Sequence, residues 1–220
     1  MASWTAKSTK AHAHVRSSLK VVDGLLSYMT GKQGKPTAKE RALFAAAVVF
    51  TYGIWENYVE QLAIELAHHV AEKINPERVS DRVRKLLEKG TVWELAVSPG
   101  WRHLWVQKVE MNAVGDDDEK FGLNTAKSGQ VKALLELAGA GDPFAGLSST
   151  IVMPEHLGAS PPEASEAINR LVELRGEIVH TGAVPASLRK NHVRAWRQFV
   201  EDITREVDKN CRTQCAQLLR

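Results

Sequence analysis

Along the chain, apolar residues recur three and four positions apart far more often than they alternate, and Ala, Leu, Glu, Lys and Arg dominate the periodic stretches. β-Branched residues do not cluster, so the pattern predicts an all-α fold. A first helix runs from about Thr9 to Met29 and breaks at Gly31-Lys32-Gln33-Gly34-Lys35-Pro36. Thr37 and Glu40 then form a capping box, the threonine accepting from an early backbone N–H and the glutamate reaching back to the cap. The helix they open stays apolar through Leu43, Val48, Trp55, Val59, Leu62 and Leu66 to about Lys73, long enough to be the central member of a bundle. Asn75-Pro76 caps a third helix, Pro76 to Lys89, which Gly90 closes.

From about Thr91 to Pro162 the periodicity loosens, with breakers at Pro99-Gly100, at Gly115-Asp116-Asp117-Asp118 and from Gly139 to Pro143. Two pieces keep helical spacing: Trp101, Leu104 and Trp105, and then Val131, Leu134, Leu135 and Leu137. Large aromatics at such positions point to packing on the bundle rather than to a linker. Pro161-Pro162 opens a helix from Glu163 to about His180, Thr181-Gly182 stops it, and Pro185 starts a last helix to about Leu219. These two are expected to form a tight αα-hairpin. The organisation expected is one domain over 1–220, with core helices at about 9–89 and 163–219 and an insertion at about 91–162.

Composition narrows the class without choosing a partner. With 44% hydrophobic and 25% charged residues and a formal charge of +3, the chain is neither disordered nor strongly basic. Cys211 and Cys215, one helical turn apart, imply two free thiols and no disulfide framework, which fits a reducing cytoplasm. The N-terminus lacks a signal-peptide pattern. The most apolar stretch, Ala42 to Trp55, is interrupted by Thr51, Tyr52 and Gly53 and falls short of the roughly 18 to 20 residues that span a bilayer, so it reads as a buried helix with no membrane partner. His12 with His14, and His68 with His69, do not share a helix face, and Asp116 to Asp118 lacks the glycine and glutamate of a calcium loop; no metal or other cofactor is expected.

Candidate chemistry concentrates in 167–182. On a helical wheel of about 100° per residue, Ile168, Leu171, Val172, Ile178 and Val179 form one stripe with Arg175 near its centre. A guanidinium on a core-facing stripe snorkels to an edge, pairs with a carboxylate such as Glu56, or faces a groove that needs positive charge. His180 lies about 140° away and about 7.5 Å further along the axis. One helix therefore does not converge the pair. Convergence needs either a distortion at the helix end or a second copy brought alongside by a two-fold axis. The C-terminal helix dipole favours a charged His180, and Glu177 is placed to accept from one ring nitrogen.

The stretch Leu171-Val-Glu-Leu-Arg175-Gly-Glu-Ile-Val-His180-Thr-Gly182 resembles the R-x4-H signature of HEPN domains, in its usual place before the final helix of a bundle. Phe50 to Leu62, FTYGIWENYVEQL, is similar to the aromatic-acidic segment of the RiboL-PSP-type branch. Phe121-Gly-Leu-Asn-Thr-Ala-Lys-Ser-Gly129 followed by Asp142-Pro-Phe144 resembles that branch's mid-chain insertion. Together these cover most of residues 37 to 210. The resemblance implies a HEPN-like helical bundle acting as a metal-independent endoribonuclease, usually a homodimer, often a toxin or effector in bacterial conflict with phages and so with an antitoxin or sensor protein as possible partner.

Under that resemblance Arg175 holds the scissile phosphate and His180 handles protons, with Glu177 and Glu56 as supporting carboxylates. RNA brings its own 2′-OH nucleophile, so an imidazole near pH 7 and a planar guanidinium suffice. The alternative is a non-catalytic HEPN-like module that binds RNA or a nucleotide. One departure stands out: ribonuclease members usually carry a polar residue, commonly asparagine, after the motif arginine, and here it is Gly176, which marks close approach of a partner or a local distortion. Lys190, Arg194 and Arg197 recur along the last helix as a stripe suited to a phosphate backbone. Arg78, Arg82, Lys85 and Lys89 repeat the pattern on the third.

Overall fold

The computed structural model describes residues 8–29, 35–116, 120–123, 125–147, 151–154 and 163–220. Their order is α1 (Lys10–Ser27), α2 (Ala38–Lys73), a 3-10 turn (Pro76–Arg78), α3 (Asp81–Leu86), α4 (Val92–Val97), α5 (Trp101–Val114), the two-residue strands β1 (Gly115–Asp116) and β2 (Lys120–Phe121), α6 (Ser128–Leu137), α7 (Ala164–Thr181) and α8 (Lys190–Leu218). The all-α expectation holds, with one short antiparallel β-ladder pairing Gly115 with Phe121. The break at Gly31 to Gly34, the Asp117-Asp118 turn and the Pro161-Pro162 helix opening lie outside the described residues.

α2 is the axis. Its start is the capping box read from the sequence: Thr37 Oγ1 accepts from Glu40 N, and Thr37 N donates to the Glu40 carboxylate. By length and composition alone α2 could cross a bilayer. Here it is packed by α1, α5, α6, α7 and α8, so its apolar residues are those of a central core helix. Trp55, Tyr52, Tyr58, Leu62 and Leu66 are fully buried along it, joined by Trp105 of α5, Ile168 and Leu171 of α7, and Trp196 and Phe199 of α8.

Three expectations change. The third helix is split: Asn75 Oδ1 accepts from Glu77 N to cap the 3-10 turn, and Ser80 Oγ accepts from Val83 N to start α3 afresh, because a serine with an acidic neighbour is a stronger helix start than a mid-helix residue. α7 and α8 do not form a tight hairpin. α7 lies on α2 and α6 while α8 lies on α2 and α1, since both bury their stripes on the central helix rather than on each other. Pro185 begins a turn, closed by Leu188 N donating to its carbonyl, and α8 starts at Lys190.

The stretch 91–154 supplies core as well as connection. α5 packs along α2, and its stacked Trp101 and Trp105 lie 6.2 Å apart between ring centroids. Trp105 Nε1 donates to Leu137 O of α6 at 2.7 Å, giving a buried indole its partner. Val131, Leu134 and Leu135 belong to the same core cluster.

Candidate active site

α7 continues unbroken through Gly176 and ends where Gly182, in the left-handed region at φ 66°, donates its N–H to Ile178 O. Two contacts fix its direction: Arg175 lies against Tyr52, and Arg41 near the start of α2 donates to Val184 O at 2.8 Å. α7 therefore runs antiparallel to α2, with Arg175 turned onto it and His180 nearer the N-terminal end of α2.

The Arg175 guanidinium sits over the Tyr52 ring, 5.1 Å from its centroid, a cation–π contact. Among the described residues it makes no ion pair, and its buried Nε has no hydrogen-bond partner. The expected carboxylate, Glu56, reaches it only through the ring: Tyr52 Oη donates to Glu56 Oε1 at 2.6 Å. Burial, and then this bond to Glu56, raise the Tyr52 hydroxyl well above its ordinary range, so it stays a donor. Tyr52 Oη also accepts from Ala126 N at 3.1 Å, and Trp55 Nε1 donates to Ala126 O at 3.0 Å. One backbone unit of the 121–129 segment is thus clamped by two aromatic residues of α2.

Glu60 lies one turn beyond Glu56. Burial, reinforced by the Glu56 charge, raises its carboxyl to about 7. Glu177 and His180 are exposed, and no hydrogen bond joins them; the last-turn contact made is Thr181 Oγ1 donating to Glu177 O. A Cβ on Gly176 would meet only His180 Cδ2, at 3.9 Å, so neither a helix distortion nor the chain's own packing calls for glycine there.

The structure brings together Arg175, Tyr52 and Glu56 and leaves His180 and Glu177 apart on the outer face of α7. The α8 stripe is divided. Arg197 is held by Asp23 at 2.8 and 2.9 Å and by Glu201, and Lys190 donates to Met29 O, whereas Arg194 is exposed. The other stripe is likewise engaged, Arg78 with Leu218 O and Arg82 with Glu136. Sequence reasoning missed Tyr52 as the seat of the arginine and Ala126 as its support; the signal available was the aromatic pair Tyr52 and Trp55 beside Glu56.

A family model described as RiboL-PSP-HEPN matches residues 22–212, nearly the whole bundle. The chain belongs to that family. No curated protein and no solved structure matches it. In this HEPN domain the R-x4-H motif is Arg175 to His180, and Phe50 to Leu62 is the stretch of α2 that seats the motif arginine. HEPN membership points to ribonuclease-like or nucleotide-binding function.

Proposed function

We propose that this HEPN domain is a metal-independent endoribonuclease acting as a homodimer, with Arg175 and His180 from both copies lining one groove. The observation that carries the reading is the state of Arg175: a motif arginine, half-buried beside a ring, with no carboxylate neutralising it. Structural arginines in such positions are paired. An unneutralised one is suited to phosphate oxygens.

In this reading neutral His180 of one copy takes the proton from the 2′-OH as that oxygen attacks the adjacent phosphorus. Protonated His180 of the other copy gives a proton to the departing 5′-oxygen. Arg175 stabilises the charge on the five-coordinate phosphorus. The products are a 2′,3′-cyclic phosphate and a 5′-hydroxyl, and DNA is spared. Glu56 acts through Tyr52 to hold the seat of Arg175, and Arg194, free of protein contacts, meets the RNA backbone; Lys190, Arg197 and Glu177 support that surface. The family resemblance supports a role as toxin or effector in anti-phage defence in the cytoplasm, held by an antitoxin or sensor protein.

The test is digestion of RNA in EDTA by the wild type, Arg175→Ala and His180→Ala, with end-group analysis. The expected result is cyclic phosphate ends from the wild type and a loss of at least about 100-fold in each variant. Equal cleavage by all three removes the assignment. A second reading, a non-catalytic RNA- or nucleotide-binding module, is favoured by Gly176, which leaves the groove without the usual polar side chain. Binding without cleavage by the wild type would select it.

A further inference from the structure

α2 is too apolar for the helices that cover it. Its most apolar 18-residue stretch is only 44% buried within the chain. The uncovered part is one face, between α1 and α7. On a helical wheel Lys39, Ala46, Val49, Phe50, Gly53 and Glu60 fall within about 100°. Phe50 is 51% exposed, Gly53 is open with nothing within 4 Å of a Cβ built on it, and beside them Val49, Gly53 and Ile54 border a groove of about 470 Å³ whose far wall is Ser18 and Val21 of α1.

The order of residues on that face is self-complementary. A basic end at Lys39 leads to small and apolar residues and then to an acidic end at Glu60, and neither charged side chain has a partner among the described residues. The geometry points to this face as a two-fold contact with a second copy, α2 crossing α2 antiparallel at Val49 and Phe50, Ala46 opposite the partner's Gly53 and Lys39 opposite the partner's Glu60. Small residues facing each other let the helices approach, as in shallow-angle packing of about 20°. An isologous contact of this kind repeats each pairing twice. A bilayer fits less well, because the face is bounded by charge at both ends.

This inference rests on the ribonuclease reading for its meaning and explains how one chain's incomplete site is completed. The two-fold axis of an antiparallel helix pair runs between the helices and perpendicular to both, so whatever flanks α2 on one side recurs on the same side in the partner. Both α7 helices therefore line one groove. Because α7 is antiparallel to α2, with Arg175 level with Tyr52 and Val184 level with Arg41, His180 is level with about Ala46. Setting Ala46 against the partner's Gly53 brings the partner's His180 level with Arg175. Gly176 faces the same groove edge without a side chain.

Sedimentation equilibrium of the full chain across the micromolar range tests this. The wild type is expected at twice the 24.3 kDa chain mass, and Gly53→Arg, at an exposed position that folds normally by circular dichroism, at the monomer mass or with association at least about 30-fold weaker. Lys39→Glu and Glu60→Lys are each expected to weaken the dimer, and the double variant to restore it, which only this register explains. A wild-type monomer, a monomer that co-sediments with phosphatidylcholine vesicles, or a dimer indifferent to Gly53→Arg overturns the proposal. RNA digestion separates the two ideas. Cleavage that needs Arg175 and His180 but ignores Gly53→Arg keeps the ribonuclease and removes this interface; a dimer that obeys the charge swap but cuts no RNA keeps the interface and removes the ribonuclease.

Discussion

Tyr52 serves three neighbours at once: its ring lies under Arg175, its hydroxyl proton goes to Glu56, and its oxygen receives the Ala126 N–H. Tyr52→Phe keeps the ring and removes both hydrogen bonds, leaving a buried N–H without an acceptor. The expected cost is about 1–3 kcal/mol in denaturant unfolding. RNA cleavage should fall far less than in Arg175→Ala, since the arginine keeps its seat. Glu60 makes a second, pH-dependent prediction. Its folded-state value is raised to about 7 from 4.5, so the folded chain holds this proton more tightly than the unfolded one. The stabilisation is full below about 4.5 and is lost as pH rises through about 7, on the order of 1–2 kcal/mol once partial exposure is allowed for. Unfolding of Glu60→Gln followed from pH 4 to 8 should lack this fall.

At the scale of elements, Gly122 shows how the 121–129 segment is held. A Cβ there would lie 2.4 Å from Val114 C and 2.5 Å from Ala113 O, backbone atoms at the end of α5 that cannot move aside. Only glycine lets the chain fold back so that Leu123 N reaches Ala113 O at 2.9 Å. Gly122→Ala is expected to cost about 2 kcal/mol or more and to speed hydrogen exchange at Ala126 as it leaves Tyr52 and Trp55. The sequence exposed α2 through Thr37 and Glu40, and the end of α7 through Gly182, because these signals lie within a few residues of what they determine. It misassigned the α7–α8 packing and the weight of α5, because which helix covers which is decided by contacts remote in sequence. The seat of Arg175 is of that kind: apolar spacing placed the guanidinium on the inner stripe of α7, but only the fold put a ring rather than a carboxylate beneath it.

Across the whole molecule, the two ends of the chain are fastened together. Buried Asp208 of α8 accepts from Thr9 N at 3.2 Å, from the Thr9 hydroxyl and from Arg212 Nε at 2.8 Å, while Glu65 of α2 accepts from Lys10 N and Ala11 N. The first turn of α1 is thus tied to two other helices. Asp208→Ala strands the Arg212 charge and the Thr9 donors, with an expected cost of about 3–5 kcal/mol and faster proteolytic cleavage within α1.

The other consequence of α8 is practical. Cys211 and Cys215 are buried on its inner face, Cys215 donating to Gly139 O at 3.6 Å, and burial raises both thiols, Cys215 to about 12. Thiolates are what thiol reagents capture, and at neutral pH these two present almost none. A fluorophore or spin label could therefore be attached to a single surface position, Asn57→Cys for instance, without first removing the native pair, and the spacing between two such labels read directly in solution.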